Sequence, residues 1–115
     1  MAGADFIRVL GIDTALRSTG VGVVESRGSR LTAVEFGAIR FPAVAPHSVC
    51  LSGLYDAVGR LVQRTAPAAA AIEGVFFSRN LRTTLILGEA RGAVIAACAA
   101  AEVPVFEYPP RSVKQ

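Results

Sequence analysis

Residues 10–25 read LGIDTALRSTGVGVVE, and the fold turns on how this stretch is parsed. The apolar run from Phe6 to Ile12 carries β-branched residues and suits a central strand. It ends at one carboxylate, Asp13, followed by a glycine-punctuated turn and a second run, Gly20 to Glu25. Far along the chain a short strand, Ala70-Ala71-Ile72, ends in the same way at Glu73. A carboxylate closing an apolar strand is costly to desolvate unless a cation or a donor meets it. If the two strands are neighbours, Asp13 and Glu73 form a divalent-metal site.

Outward from that stretch, Leu31 to Phe41 supplies a third strand, and Arg27-Gly28-Ser29 is a hairpin signal between the second and third. Three antiparallel strands therefore open the domain. Pro42 and Pro46 break the chain, and Ser48 to Thr65 places Val49, Leu51, Leu54, Tyr55, Val58, Leu61 and Val62 at helical spacing. Pro67 ends that helix. Ala68 to Val75 reads as the next strand. Asn80 can cap a long helix running to about Glu102, with Leu81, Leu85, Leu87, Ala90, Val94, Ile95 and Cys98 as its apolar face. Val103 to Tyr108 is the fifth strand, closed by Pro109-Pro110, and Met1 to Asp5 reads as a disordered leader.

The order β-β-β-α-β-α-β predicts an α/β fold with a mixed five-stranded sheet. The late β-α-β crossovers require parallel neighbours, so the first and fourth strands can lie side by side. Residues 1–115 read as a single domain.

Composition bounds the function. With 52% hydrophobic and 18% charged residues, the chain reads as globular rather than disordered. Its net charge is +3 and all of its basic residues but Lys114 are arginine. Arginine favours bidentate phosphate contacts, which admits a phosphate-bearing partner. Cys50 and Cys98 lack metal-ligand spacing and read as buried thiols in a reducing compartment. The longest strongly apolar run, Gly92 to Ala101, is about half of a membrane span, so a cytoplasmic protein with no membrane partner is expected. His47, between two prolines, reads as a surface loop residue without a catalytic role. Gly88 and Gly92, four apart on an alanine-rich helix, permit close packing on the sheet or on a second subunit.

Two constellations carry chemistry. Mg²⁺ is commonly held by one or two carboxylates plus substrate phosphates, and paired ions about 4 Å apart can stabilise the attacking and leaving oxygens of a phosphodiester displacement. In the bland alternative, Asp13 caps a turn and Glu73 pairs with Arg79 or Arg91. Directly after Glu73 comes GVFFSRN, residues 74–80. An exposed Phe76 or Phe77 can stack on an unpaired base for about 1–3 kcal/mol, with Arg79 gripping the backbone. The alternative there is a hydrophobic staple under the following helix. Arg111 and Lys114 add positive charge near the same sheet end.

The motifs LGIDTALRSTGVGVVE, AIEGVFFSRN with LGEARG, and VPVFEYPPRSVKQ resemble the RuvC Holliday-junction resolvases, from about Ile7 to Gln115. The resemblance implies a ribonuclease H-like fold and an Mg²⁺-dependent endonuclease, with Mn²⁺ able to substitute. It implies a homodimer, joined through the helix 80–102, that cuts four-way DNA junctions and works with the RuvA and RuvB branch-migration proteins. On that resemblance the catalytic, metal-binding acids fall on Asp13 and Glu73. The stacking aromatic falls on Phe76, with Phe77, Arg79 and Asn80 beside it, and a DNA- or phosphate-holding lysine falls on Lys114, near Arg111.

Chains of that family continue past this point into helices bearing further metal-binding acids, so the final helices are missing here and impaired cleavage is expected. Two other readings stand beside the nuclease. One is a non-catalytic DNA-binding or dimerisation module. The other is an actin-like nucleotide-binding half-domain, since GIDTALRSTG resembles a phosphate-gripping hairpin.

Overall fold

The computed structural model describes residues 6–73 and 80–108. The hairpin signals translate into three antiparallel strands, β1 (Ile7–Asp13), β2 (Ser18–Arg27) and β3 (Arg30–Arg40). Gly28, at φ 59°, supplies the left-handed residue that the tight β2–β3 turn needs. Helix α1 (His47–Thr65) follows, then β4 (Ala69–Glu73), α2 (Leu81–Ala100) and β5 (Val105–Tyr108). The sheet order is β3-β2-β1-β4-β5, with β1–β4 and β4–β5 parallel. The predicted mixed sheet and the predicted adjacency of first and fourth strands are both present.

Strand parity fixes which side is which. Leu10 and Ile12 of β1, Val23 of β2, and Ala70 and Ile72 of β4 are buried, and all belong to one core with residues of α1 and α2. Both helices therefore cover the same face of the sheet. Side chains alternate across a strand, so Val9, Gly11 and Asp13, with Ala69, Ala71 and Glu73, lie on the opposite face.

The helices bury part of the faces expected of them, Leu54, Val58, Leu61 and Val62 on α1 and Ala90, Val94 and Cys98 on α2. On α1, Cys50, Leu54, Val58, Leu61, Val62 and Thr65 point inward, whereas Val49 and Tyr55 are exposed. At the start of α1 Cys50, rather than Val49, enters the core. On α2 only Ala90, Val94, Ala97 and Cys98 are buried, and the expected Leu81 and Leu85 stay exposed. Small alanines at the contact let α2 lie close to α1. Asn80 caps α2 as predicted, its Oδ1 accepting from the Thr83 N–H at 3.2 Å.

His47 is not a loop residue: it opens α1, and its Nε2 lies 2.6 Å from Glu89 Oε1 of α2. Both cysteines are buried free thiols, and burial pushes the Cys98 thiol pKa up. Helix α2 has the length and composition of a bilayer span. It nonetheless packs its alanine stripe into the core and carries Glu89 and Arg91, each with a protein ion-pair partner.

Candidate metal and nucleic-acid site

Asp13 is the last residue of β1 and Glu73 the last of β4. The final paired rung between these parallel strands is Ile12↔Ile72, so the two acids stand one residue beyond it. Neighbouring strands lie about 4.8 Å apart, and equal parity sends both side chains to the face the helices leave open. Asp13 is exposed and Glu73 is half-buried. On its far side Glu73 pairs with Tyr108 of β5, which places a half-exposed aromatic in the same row. The floor beside Asp13 is made of small residues. A methyl group built on Gly20 would meet Asp13 Cβ at 3.7 Å, and one on Gly11 would approach the Gly22 carbonyl at 3.9 Å.

Asp13 is held by the turn behind it. Leu16 is buried and anchors the turn in the core. Fully buried Thr19 accepts from the Ala15 N–H at 3.2 Å and donates to the Ala15 carbonyl, closing the loop on itself. The Arg17 guanidinium donates to the Pro42 and Ala45 carbonyls, both at 3.0 Å, and to Cys50 Sγ at 3.2 Å, while the Arg17 carbonyl accepts from the Phe41 N–H at 3.0 Å. The turn is thereby tied to the β3–α1 connection. Arg17 and Thr19 were missed as positioning residues. The available signal was a threonine four residues beyond Ala15, able to mimic a backbone turn with its hydroxyl.

Four of the other acids pair with basic side chains, Glu89 with His47 among them. Glu25 bonds Arg8 on the helix-covered face at 2.5 Å, Glu35 bonds Arg64 at 2.7 Å, and Glu107 pairs with Arg91. Arg91, one of the two partners the alternative offered Glu73, pairs with Glu107, and Arg79, the other, lies outside the described residues. Among the described residues no group of three or more His, Cys, Asp or Glu side chains converges as a metal cluster. The candidate donor set is therefore the Asp13–Glu73 pair. Its hard carboxylate oxygens suit Mg²⁺. Beside Asp13 in sequence, the Thr14 hydroxyl oxygen is buried without a hydrogen-bond partner among the described residues. These features fit a hydrated divalent ion.

Phe76, Phe77, Arg79, Arg111 and Lys114 lie outside the described residues, as do the predicted leader (1–5) and the end of the predicted fourth strand (74–75). Gly88 and Gly92 of α2 are exposed, and a methyl group on either would meet nothing within 4 Å. Neither glycine serves a close contact among the described residues.

The family model described as crossover junction endodeoxyribonuclease RuvC matches residues 9–115. The chain is 42% identical over 109 residues to the crossover junction endodeoxyribonuclease RuvC of Chloroflexus aggregans, covering 95% of this chain and 66% of that protein. The Myxococcus xanthus protein of the same name is 45% identical over 109 residues, with 95% and 57% covered. The chain therefore spans just under two thirds of the first relative and less of the second. Among solved structures, Thermus thermophilus RuvC in complex with a Holliday junction substrate superposes with a TM-score of 0.84 at 30% identity, over 90% of this chain and 64% of that one. The yeast mitochondrial Holliday junction resolvase Ydc2 shares the fold, with a TM-score of 0.69 at 14% identity over 90% and 53% of the two chains.

Proposed function

Because the chain belongs to the RuvC family of crossover junction endodeoxyribonucleases, we propose that it hydrolyses phosphodiester bonds at four-way DNA junctions, with Mg²⁺ held between Asp13 and Glu73. The observation that carries this reading is the register. Two carboxylates from sequence-distant strands leave the same open face, one residue past a shared rung. A bound divalent ion would neutralise phosphate charge and activate a water for attack. The chain's own part is to fix the donors. The Thr19–Ala15 and Arg17 bonds hold Asp13, and the β4 ladders on both sides hold Glu73. Positions fixed before substrate arrives need no reorganisation during the reaction. The glycine and alanine floor gives a phosphate backbone room to approach.

DNA contacts are assigned to Phe76 and Phe77 by stacking, to Arg79, Arg111 and Lys114 by charge, and to Asn80 at the start of α2. Homodimerisation through α2 is supported by Leu81, Leu85, Gly88 and Gly92, which form one exposed stripe at helical spacing. Work alongside RuvA and RuvB in the cytoplasm, and substitution of Mn²⁺ for Mg²⁺, belong to the same proposal. Two carboxylates bind a divalent ion less firmly than three or four, so the 115-residue chain is proposed to cut slowly.

The test is a labelled four-way junction incubated with the chain and Mg²⁺ or Mn²⁺. Slow, paired nicks by the parent and none by Asp13→Asn, with junction binding retained, are expected. Cleavage by Asp13→Asn at the parent rate would refute the assignment. Junction binding with no nicking under any metal condition would support the non-catalytic module instead.

A further inference from the structure

On the face that the helices cover, β3 forms one margin of the sheet, and no strand pairs its outer side among the described residues. The β2–β3 register shifts at Val23/Val24, where Ala33 and Glu35 face consecutive β2 residues and Val34 bulges out. Beyond that bulge, residues 35–40 pair regularly with β2. A regular edge strand offers a row of unpaired N–H and C=O groups. Alongside these residues runs a groove of about 470 Å³, floored by Val21, Ile39, Ala57 and Leu61 and rimmed by Arg60 and Arg64 of α1. That volume falls within the ~300–1,000 Å³ common for ligand clefts.

We propose that residues 35–40 of β3 take up an extended acidic segment of a partner protein, which adds a sixth strand to the sheet and sets apolar side chains into this groove. Strand addition draws affinity from main-chain hydrogen bonds and specificity from pockets for alternate side chains; here the pocket floor is apolar.

Charge selects the occupant. Arg64 is bonded to Glu35, but Arg60 and Arg40 have no ion-pair partner among the described residues. A partner carboxylate on the groove side meets Arg60, and one on the other side meets Arg40. A second copy of this chain fits less well. Its carboxylate in this segment, Glu35, is held by its own Arg64, and it brings further arginines to a cationic edge. In a two-fold antiparallel pair, opposed residues share a face, whereas Glu35 and Arg40 lie on opposite faces. No symmetric register sets one against the other. The apolar floor favours side chains over a nucleic-acid backbone. The groove lies on the face opposite the carboxylate pair, and β2 separates the β3 edge from β1 and β4, so a strand added there leaves that site open.

The probes are fluorescein-labelled eight-residue peptides alternating valine with glutamate, a lysine counterpart, and a glutamate version with alternate backbone nitrogens methylated. Anisotropy should show the glutamate peptide binding, with the lysine and methylated peptides about tenfold weaker or worse. Arg60→Glu, on an exposed helix position, should reverse the charge preference while circular dichroism stays unchanged. Amides of residues 35–40 should gain hydrogen-exchange protection with the glutamate peptide. Equal binding of all three peptides, or a preference untouched by Arg60→Glu, would overturn the proposal. So would protection of the same amides by self-association alone or by junction DNA alone.

Discussion

Replacing Asp13 with Asn should make the metal-free protein more stable. The carboxylates of Asp13 and Glu73 leave one face of adjacent strands one residue past the Ile12↔Ile72 rung. At a separation of about 5 Å set by strand spacing, two unit charges in a water-like medium repel by about 0.8 kcal/mol. Asp13 is exposed, so the water-like value applies rather than the larger figure for a buried pair. The amide keeps the side-chain volume and removes the charge.

Urea unfolding at low ionic strength with chelator should therefore show a gain of about 0.5–1 kcal/mol, or roughly 3 °C in Tm. The gain should shrink in ~0.5 M salt, where the screening length is only a few ångströms. With millimolar Mn²⁺ the order should reverse, because only the parent gains binding free energy. A double-mutant cycle with Glu73→Gln isolates the pair. A coupling energy near zero, or a loss of stability in Asp13→Asn at low salt without metal, would refute the adjacency.

Arg8→Met should cost about 2 kcal/mol, read by the urea midpoint. The guanidinium bonds Glu25 at 2.5 and 3.1 Å and the Thr65 carbonyl at 2.7 Å, and its loss leaves a poorly exposed carboxylate with only the looser Arg27 pair at 3.9 Å. Glu35→Gln should flatten the acid limb of the stability profile. The hydrogen bond from Arg64 lowers the Glu35 pKa below its usual 4.5, so this contribution is present above pH 4.5 and fades as pH falls through the lowered folded value. Gly53→Ala puts a methyl group 2.6 Å from Phe41 Cε1 and 2.9 Å from Cζ. It should destabilise by about 1 kcal/mol despite better helix propensity, and Phe41→Leu should restore part of the loss.

The element order and sheet adjacency were legible because each strand carried its own punctuation. Gly28 marked the hairpin, Pro67 stopped α1, and Ala70-Ala71-Ile72 was too short and too apolar to be anything but a buried strand. Those same signals placed Asp13 and Glu73 at neighbouring strand ends. The buried stripe of α2 was legible at Ala90, Val94 and Cys98 and misread in the first two turns, where Leu81 and Leu85 stay exposed. Its leucines and alanines surround the helix almost evenly, so no periodic face stands out, and packing against α1 selected the small residues. The α1 stripe was legible at Leu54, Val58, Leu61 and Val62 and misread at its start, where Cys50 and Val49 are both apolar and only Cys50 is buried. Arg17 ties its turn to the β3–α1 connection and to α1 through backbone carbonyls, an amide and a thiol, partners that leave no trace in side-chain patterning. The edge groove was invisible for a related reason: β3 alternates like any strand, and only the sheet order shows that no strand among the described residues pairs with its outer side.

Calorimetric titration of Mn²⁺ into the parent chain and the single variants Asp13→Asn and Glu73→Gln probes the two-acid centre most directly. Saturable binding by the parent, lost in both variants alike, is the predicted result. Binding that survives intact in either variant would contradict a shared ion and dissolve the site.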